Sequence, residues 1–228
     1  MRSAEPRPLP VRAVLFDLDG TLADTAGDLC AALNRVRADR ALPPMALAAL
    51  RPHASDGARG MLGVGLGITR DHAQWEMMRD SFLDYYAAAL AVHTRLFAGA
   101  EDALAGIEKR GLAWGVVTNK VARFTLPLLD RLDITQRAAV IVCGDTTPQV
   151  KPHPAPLLHA ARALGLDAAS CVYVGDAQRD VAAARAAGMA ALVASYGYIS
   201  PETAPESWKP DGFIDSLPAL LDWLPAKT

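Results

Sequence analysis

The chain has 228 residues, 51% of them hydrophobic and 21% charged, proportions that exclude collagen-like, coiled-coil and disordered chains. Its 23 basic and 25 acidic residues leave a net charge of −2, which offers no basic field for nucleic acid. The length suggests one to two domains at about 100–200 residues each.

No apolar run approaches the roughly 18 residues of a membrane span. The proline-rich start, Met1 to Pro10, lacks the apolar centre of a signal peptide. Cys30, Cys143 and Cys171 are odd in number, far apart and set in apolar runs, which is neither a disulfide framework nor a CxxC metal motif. A reducing cytoplasm is the expected location. Alanine occurs 44 times and raises helix propensity everywhere, so periodicity and turn residues carry more weight here than propensity.

Val11–Phe16 is an almost unbroken apolar run that ends in Asp17 and an Asp19-Gly20 turn signal, as expected of a strand buried on both faces. From Asp24 to about His93 no strand is expected. Instead, Leu29, Leu33 and Val36, then Trp75, Met78, Phe82, Tyr85 and Ala89, recur at helical spacing. Some 70 residues are too many for an ordinary connection, so a helical insertion directly after the first strand is expected. Gly57, Gly60, Gly63, Gly65 and Gly67 lack the Gly-Lys-Ser/Thr of a phosphate loop and suit close backbone packing within that insertion.

Beyond residue 97 strand and helix alternate. Apolar runs at Ala113–Val117, Ala138–Cys143, Cys171–Val174 and Ala190–Ala194 read as strands. Glu101–Arg110, Pro156–Leu164 and Asp180–Ala187 read as helices, each followed by a glycine. Pro201–Pro210 reads as a surface loop before a last short strand, Gly212–Ile214, and a terminal helix. The pattern predicts an α/β fold, a doubly wound, Rossmann-like parallel sheet with an inserted helical cap. The expected core spans 1–24 and 94–228, and the cap 25–93.

In such sheets ligands bind beyond the carboxyl ends of the strands. Asp17 and Asp19 follow the first strand, Thr118 and Asn119 the second, and Asp176 and Asp180 the fourth, while Lys151 lies a few residues after the third. Four segments thus bring carboxylates, a hydroxyl and an ammonium to one edge. Several carboxylates converging there call for a cation, and oxygen-only ligands select a hard one such as Mg2+. Taken singly, Asp19-Gly20 also describes a turn, Thr118-Asn119 a strand-end cap, and Asp180 a charge at a helix start. Asp24 and Asp28 are read as structural.

Phe16-Asp17-Leu18-Asp19-Gly20-Thr21-Leu22 resembles the first motif of the haloacid dehalogenase superfamily of phosphotransferases. Val117-Thr118-Asn119, Lys151-Pro152 and Gly175-Asp176-Ala177-Gln178-Arg179-Asp180 resemble its other three, in order, and the likeness spans the chain. The resemblance implies a Mg2+-dependent phosphomonoester hydrolase that works through an aspartyl-phosphate. Asp17 would be the nucleophile and Asp19 the general acid and base. Thr118, Asn119 and Lys151 would bind the phosphoryl group, and Asp17, Asp19, Asp176 and Asp180 would form the metal site. Ala177 departs from the pattern, since many relatives carry a hydroxyl there.

Within the superfamily the chain is similar to bacterial phosphoglycolate phosphatases, and also to phosphatases of N-acetylmuramic acid 6-phosphate. Both substrates pair a carboxylate with a phosphate. Arg59, after the Ser55-Asp56-Gly57 turn in the expected cap, suits a carboxylate through its bidentate fork. An exposed helix arginine is the competing reading. The expected partner is thus a small phosphate ester, with neither nucleic acid nor membrane. A phosphosugar mutase would share the nucleophile and the acid/base pair, whereas a dehalogenase would need neither Asp19 nor the metal. A non-catalytic binder built on the same scaffold would keep a costly idle cluster of buried charge. His53, His72, His93, His153 and His159 show no metal-ligand spacing and read as surface or packing residues.

Overall fold

The computed structural model describes residues 6–226. The outer ends of the expected core (1–5 and 227–228), including half of the proline-rich start, lie outside them.

Six parallel strands form one sheet. They are β1 (Ala13–Phe16), β4 (Ala113–Val117), β5 (Val140–Val142), β6 (Cys171–Gly175), β7 (Ala190–Ala194) and β8 (Gly212–Ile214), arranged β5-β4-β1-β6-β7-β8. Each main strand divides its side chains between two cores at period two. Val14, Phe16, Trp114, Val116, Val172, Val174, Leu192 and Ala194 pack on one face. Ala13, Leu15, Val117, Tyr173, Ala191 and Val193 pack on the other. Burial on both faces explains why these strands are nearly continuous apolar runs.

Helices α5 (Ala100–Lys109) and α6 (Ala122–Arg131) cover the first face, and α7 (Ala155–Ala163) and α8 (Gln178–Ala187) the second. The expected strands at Ala113–Val117, Ala190–Ala194 and Gly212–Ile214 form as read, while the third shrinks to Val140–Val142. The expected terminal helix is a 3-10 turn, Pro218–Trp223. Helix α6 had no sequence expectation. Pro127 interrupts its pattern, yet Phe124, Thr125, Leu128 and Leu129 are buried.

Between the two-residue strands β2 (Ala23–Asp24) and β3 (Arg95–Leu96) the chain is helical: α1 (Ala26–Ala38), α2 (Leu47–Leu50), a 3-10 segment (Arg51–Asp56), α3 (Gly57–Leu66) and α4 (Trp75–Ala88). β2 and β3 pair antiparallel and form the neck of the insertion. Leu29, Leu33 and Val36 are buried as expected. On α4 the buried stripe is Trp75, Met78, Phe82 and Tyr86, followed by Leu90. Of the other two residues expected on that stripe, Tyr85 is only partly buried, lying beside Arg35 of α1 and donating its hydroxyl to Asp39, and Ala89, just past the end of α4, is exposed. A Cβ at Gly65 would lie 2.5 Å from the Leu33 side chain, so close packing of α1 on α3 requires glycine there.

Candidate active site

Phe16 pairs with Val116 on one side and with Val174 on the other. The residues that follow, Asp17, Thr118 and Asp176, therefore emerge together at the carboxyl edge of three adjacent strands. Chain order reverses around β1, which makes this the topological switch point of the sheet.

Lys151 is fully buried. Its Nζ lies 2.9 Å from Asp17 Oδ1, 2.7 Å from Asp180 Oδ1 and 2.7 Å from the Tyr173 hydroxyl, which donates in turn to Val117 O. Asn119 fixes the lysine backbone from both sides, accepting from Lys151 N at 2.9 Å and donating to Lys151 O at 2.9 Å. With the Asn119 side chain so committed, any contact it makes with a phosphoryl group would come from its backbone. Thr118 Oγ1 accepts from Lys120 N, so its own proton remains available to a ligand.

Asp17 Oδ1 accepts from Leu18 N at 2.8 Å as well as from Lys151, leaving Oδ2 to face the cavity. Burial pushes the Asp17 carboxyl above its ordinary range; Lys151 opposes this and Asp180 adds to it. Asp176 is pushed up to about 7, chiefly by burial and then by Asp180 and Asp17. Its Oδ2 accepts from Tyr198 N and Ser55 Oγ, each at 2.8 Å, while its buried Oδ1 has no partner.

Asp17, Asp176 and Asp180 each place a carboxylate oxygen within 4.8 Å of the others. The orphaned Asp176 oxygen, the all-oxygen donor set and the raised carboxyl groups fit a hard divalent cation. Asp180 is the most committed of the three, since Oδ1 takes Lys151 and Oδ2 takes Ala177 N at 3.0 Å. Ala177 lacks the hydroxyl that would complete a reciprocal helix cap, so only half of one forms.

Gly20, at φ +84, makes the sharp turn that follows Asp19, and a Cβ there would lie 2.1 Å from Asp176 Oδ2. Asp19 borders the same cavity. Its Oδ1 accepts from Thr25 Oγ1 at 2.5 Å and from Lys120 Nζ at 2.7 Å.

The insertion contacts the core beside the site. Arg179 Nη1 donates to Asp56 Oδ1 at 2.9 Å and Nη2 to Ser55 O at 2.6 Å, tying the 3-10 segment to the start of α8. Although burial disfavours its charge, the Asp180, Asp17 and Asp176 carboxylates hold the Arg179 guanidinium protonated more firmly than usual. At the neck Arg51 pairs with Asp24 through two bonds of 3.0 and 2.9 Å, and Tyr198 donates to Asp24 while accepting from Thr25 N and Ala26 N.

A cavity of about 1210 Å³ runs from Asp17 and Lys151 to the insertion, past Trp75, Phe82, Tyr86 and Phe124. Arg59 lines it at the exposed rim, 3.1 Å from Asp56. Every residue expected at the site therefore borders the cavity or packs directly behind it. Sequence reading missed Lys120, Ser55, Tyr173, Tyr198 and the bridging role of Arg179. For Lys120 and Arg179, adjacency to the Thr118-Asn119 and Asp176 motifs was the available signal.

Comparison with known proteins agrees with this geometry. The chain is 46% identical over 215 residues to a phosphoglycolate phosphatase of Xanthomonas campestris pv. campestris, covering 94% of this chain and 96% of that protein. It is 42% identical over 214 residues to an N-acetylmuramic acid 6-phosphate phosphatase of Pseudomonas aeruginosa, covering 94% and 95%. Among solved structures, that of a predicted phosphoglycolate phosphatase from Haemophilus somnus 129pt superposes with a TM-score of 0.82 at 27% identity, over 93% of this chain and 97% of that one. The model of the haloacid dehalogenase-like hydrolases matches residues 14–194, from the first residues of β1 to the end of β7. With its acidic site at the switch point of the sheet, the chain belongs to the haloacid dehalogenase-like hydrolase family.

Proposed function

We propose that the protein hydrolyses a small carboxylated phosphate monoester of the phosphoglycolate type, with Asp17 as nucleophile and Mg2+ as the ion held by Asp17, Asp176 and the Asp19 backbone carbonyl. The observation that carries this reading is the Asp17–Lys151–Asp180 cluster beside the orphaned Asp176 oxygen. Asp180, with both oxygens engaged, braces Lys151 and the start of α8 from behind. When bound, the cation draws charge from the phosphoryl oxygens and offsets repulsion between substrate and carboxylates.

Asp17 Oδ2 attacks phosphorus and the P–O ester bond breaks, giving an aspartyl-phosphate. Asp19 gives its proton to the departing alkoxide and then takes one from the water that hydrolyses the acyl phosphate. Thr118 and Lys151 hold the phosphoryl oxygens, so positioning and fixed charge supply most of the rate. The helical segment, 25–93, acts as a cap that excludes water above a core formed by 1–24 and 94–228. The reaction is assigned to the cytoplasm, in keeping with three unpaired buried cysteines and with no helix among the described residues long and apolar enough to span a membrane.

A second reading, N-acetylmuramic acid 6-phosphate as substrate, is supported by cavity size. About 1210 Å³ with aromatic walls is more than a two-carbon acid fills. Side-by-side kcat/KM values for phosphoglycolate, N-acetylmuramic acid 6-phosphate and simple sugar phosphates separate the two. Phosphate release that needs added Mg2+ and stops with chelator is expected. No release across a broad phosphomonoester panel would overturn the hydrolase reading in favour of a binding protein.

A further inference from the structure

Lys120 is a second, largely buried ammonium at the site, and the reaction above does not use it. Its N–H bonds Thr118 Oγ1, and its carbonyl accepts from Gly144 N and Thr125 Oγ1, so the backbone fixes the direction in which the side chain leaves. That side chain is only 9% exposed. Nζ sits 2.7 Å from Asp19 Oδ1 and 4.9 Å from the centroid of the Tyr86 ring, which belongs to α4 of the insertion.

We propose that Lys120 is the positioning residue for Asp19: ion-paired to Oδ1 and steadied by the Tyr86 ring of the insertion, it turns Oδ2 toward the oxygen of the leaving group. The geometry is specific. Thr25 Oγ1 and Lys120 Nζ both engage Oδ1, which leaves Oδ2 as the oxygen that carries the transferred proton. The two donors come from different elements, Thr25 from the start of α1 and Lys120 from the loop after β4, so together they restrict rotation of the carboxylate. Tyr86 is the contribution of the insertion. A cation over an aromatic face gains most where water is excluded, so the lysine is held best when α4 lies on the core. Lys120 thereby links the insertion to the acid/base group without touching phosphorus.

This role rests on the phosphatase reading and has a signature of its own. A misdirected general acid costs most where the leaving group is poorest, because a good leaving group departs without a proton. The probe is a series of substituted phenyl phosphates, from p-nitrophenyl to unsubstituted phenyl, none of which carries a carboxylate. For each, kcat/KM reports the steps through ester cleavage.

In Lys120→Met, kcat/KM for phenyl phosphate is expected to fall by on the order of a hundredfold, and that for p-nitrophenyl phosphate only severalfold, so that rate depends more steeply on leaving-group pKa. Lys120→Arg, which keeps the charge, should recover part of the wild-type slope, and it remains informative if the methionine variant folds poorly. An unchanged slope in both variants would overturn the proposal, whether the rates fell uniformly or not at all. So would a defect confined to KM for carboxylated esters, which would make Lys120 a direct substrate contact. Failure of the wild-type enzyme to release phosphate from any ester would instead overturn the phosphatase reading itself.

Discussion

Ser55, in the 3-10 segment of the insertion, donates its hydroxyl at 2.8 Å to Asp176 Oδ2, an acidic group at the end of β6 that lies 121 residues away in the chain. Together with Tyr198 N it occupies one carboxylate oxygen and leaves the other, Oδ1, buried and free. The insertion therefore helps to set which oxygen of Asp176 is offered to a cation. Outer partners of a metal-binding carboxylate are worth about 10–100-fold in affinity. Ser55→Ala is accordingly expected to weaken Mg2+ binding by roughly tenfold in a calorimetric titration of the substrate-free protein. An unchanged Kd would show that the contact only docks the insertion.

Protons and metal compete for the same oxygens. With Asp176 pushed up to about 7 and Asp17 also raised, the metal-free folded protein binds protons more tightly than the unfolded chain does. The sign follows from linkage. This stabilisation is complete below the ordinary carboxyl range near 4 and is lost as pH rises through about 7. The metal-free protein should therefore have a lower Tm at pH 8 than at pH 5.5. Added Mg2+ should raise Tm by several degrees at pH 8 and scarcely at pH 5.5, where it must displace protons. A Mg2+ effect of equal size at both values would contradict this.

How much of this was visible in the sequence follows from the range over which each signal acts. β1, β4, β6 and β7 were legible because burial on both faces leaves uninterrupted apolar runs, and Asp17, Thr118 and Asp176 because each directly follows such a run. The neck strands β2 and β3 are two residues long, too short to leave a periodic trace, and exist through pairing across the insertion. Helix α6 was hidden by Pro127, whose local penalty is offset by the burial of Phe124, Leu128 and Leu129. Ser55, Lys120 and Tyr198 act through partners 121, 101 and 22 residues away, and of the three only Lys120, next to Thr118-Asn119, has a local signal.

Lys151 is the countercharge of the whole cluster, and its removal should cost stability as well as rate. Lys151→Met leaves Asp17 and Asp180 facing each other without a cation, a loss of about 3–5 kcal/mol for a broken buried pair. Adding Asp180→Asn should restore part of the lost Tm without restoring activity, because one unpaired charge is removed while the phosphoryl contact stays absent. Asp17→Asn behaves differently. Burial already disfavours the Asp17 charge, and the amide oxygen can still accept from Leu18 N, so the fold and Tm should survive while turnover disappears. Substantial hydrolysis by that variant would remove Asp17 as the nucleophile.

Arg59 tests whether the rim recognises the acid end of the substrate. Its side chain is 62% exposed and rests on Asp56 at 3.1 Å, and Asp56 is held independently by Arg179 at 2.9 Å. A surface pair of this kind is worth about 1 kcal/mol at most. Arg59 can therefore leave Asp56 for a substrate carboxylate at small cost, with Arg179 keeping Asp56 in place. Arg59→Ala should raise KM for a carboxylated phosphate ester about fivefold or more, the equivalent of one charge-assisted hydrogen bond. For p-nitrophenyl phosphate, which has no carboxylate to clamp, KM should stay within about twofold, since exposed positions away from a contact change little. Equal shifts for both substrates would mean that Arg59 acts on the phosphate field or on the docking of the insertion, and the carboxylate would then have to be read by another residue of the cavity.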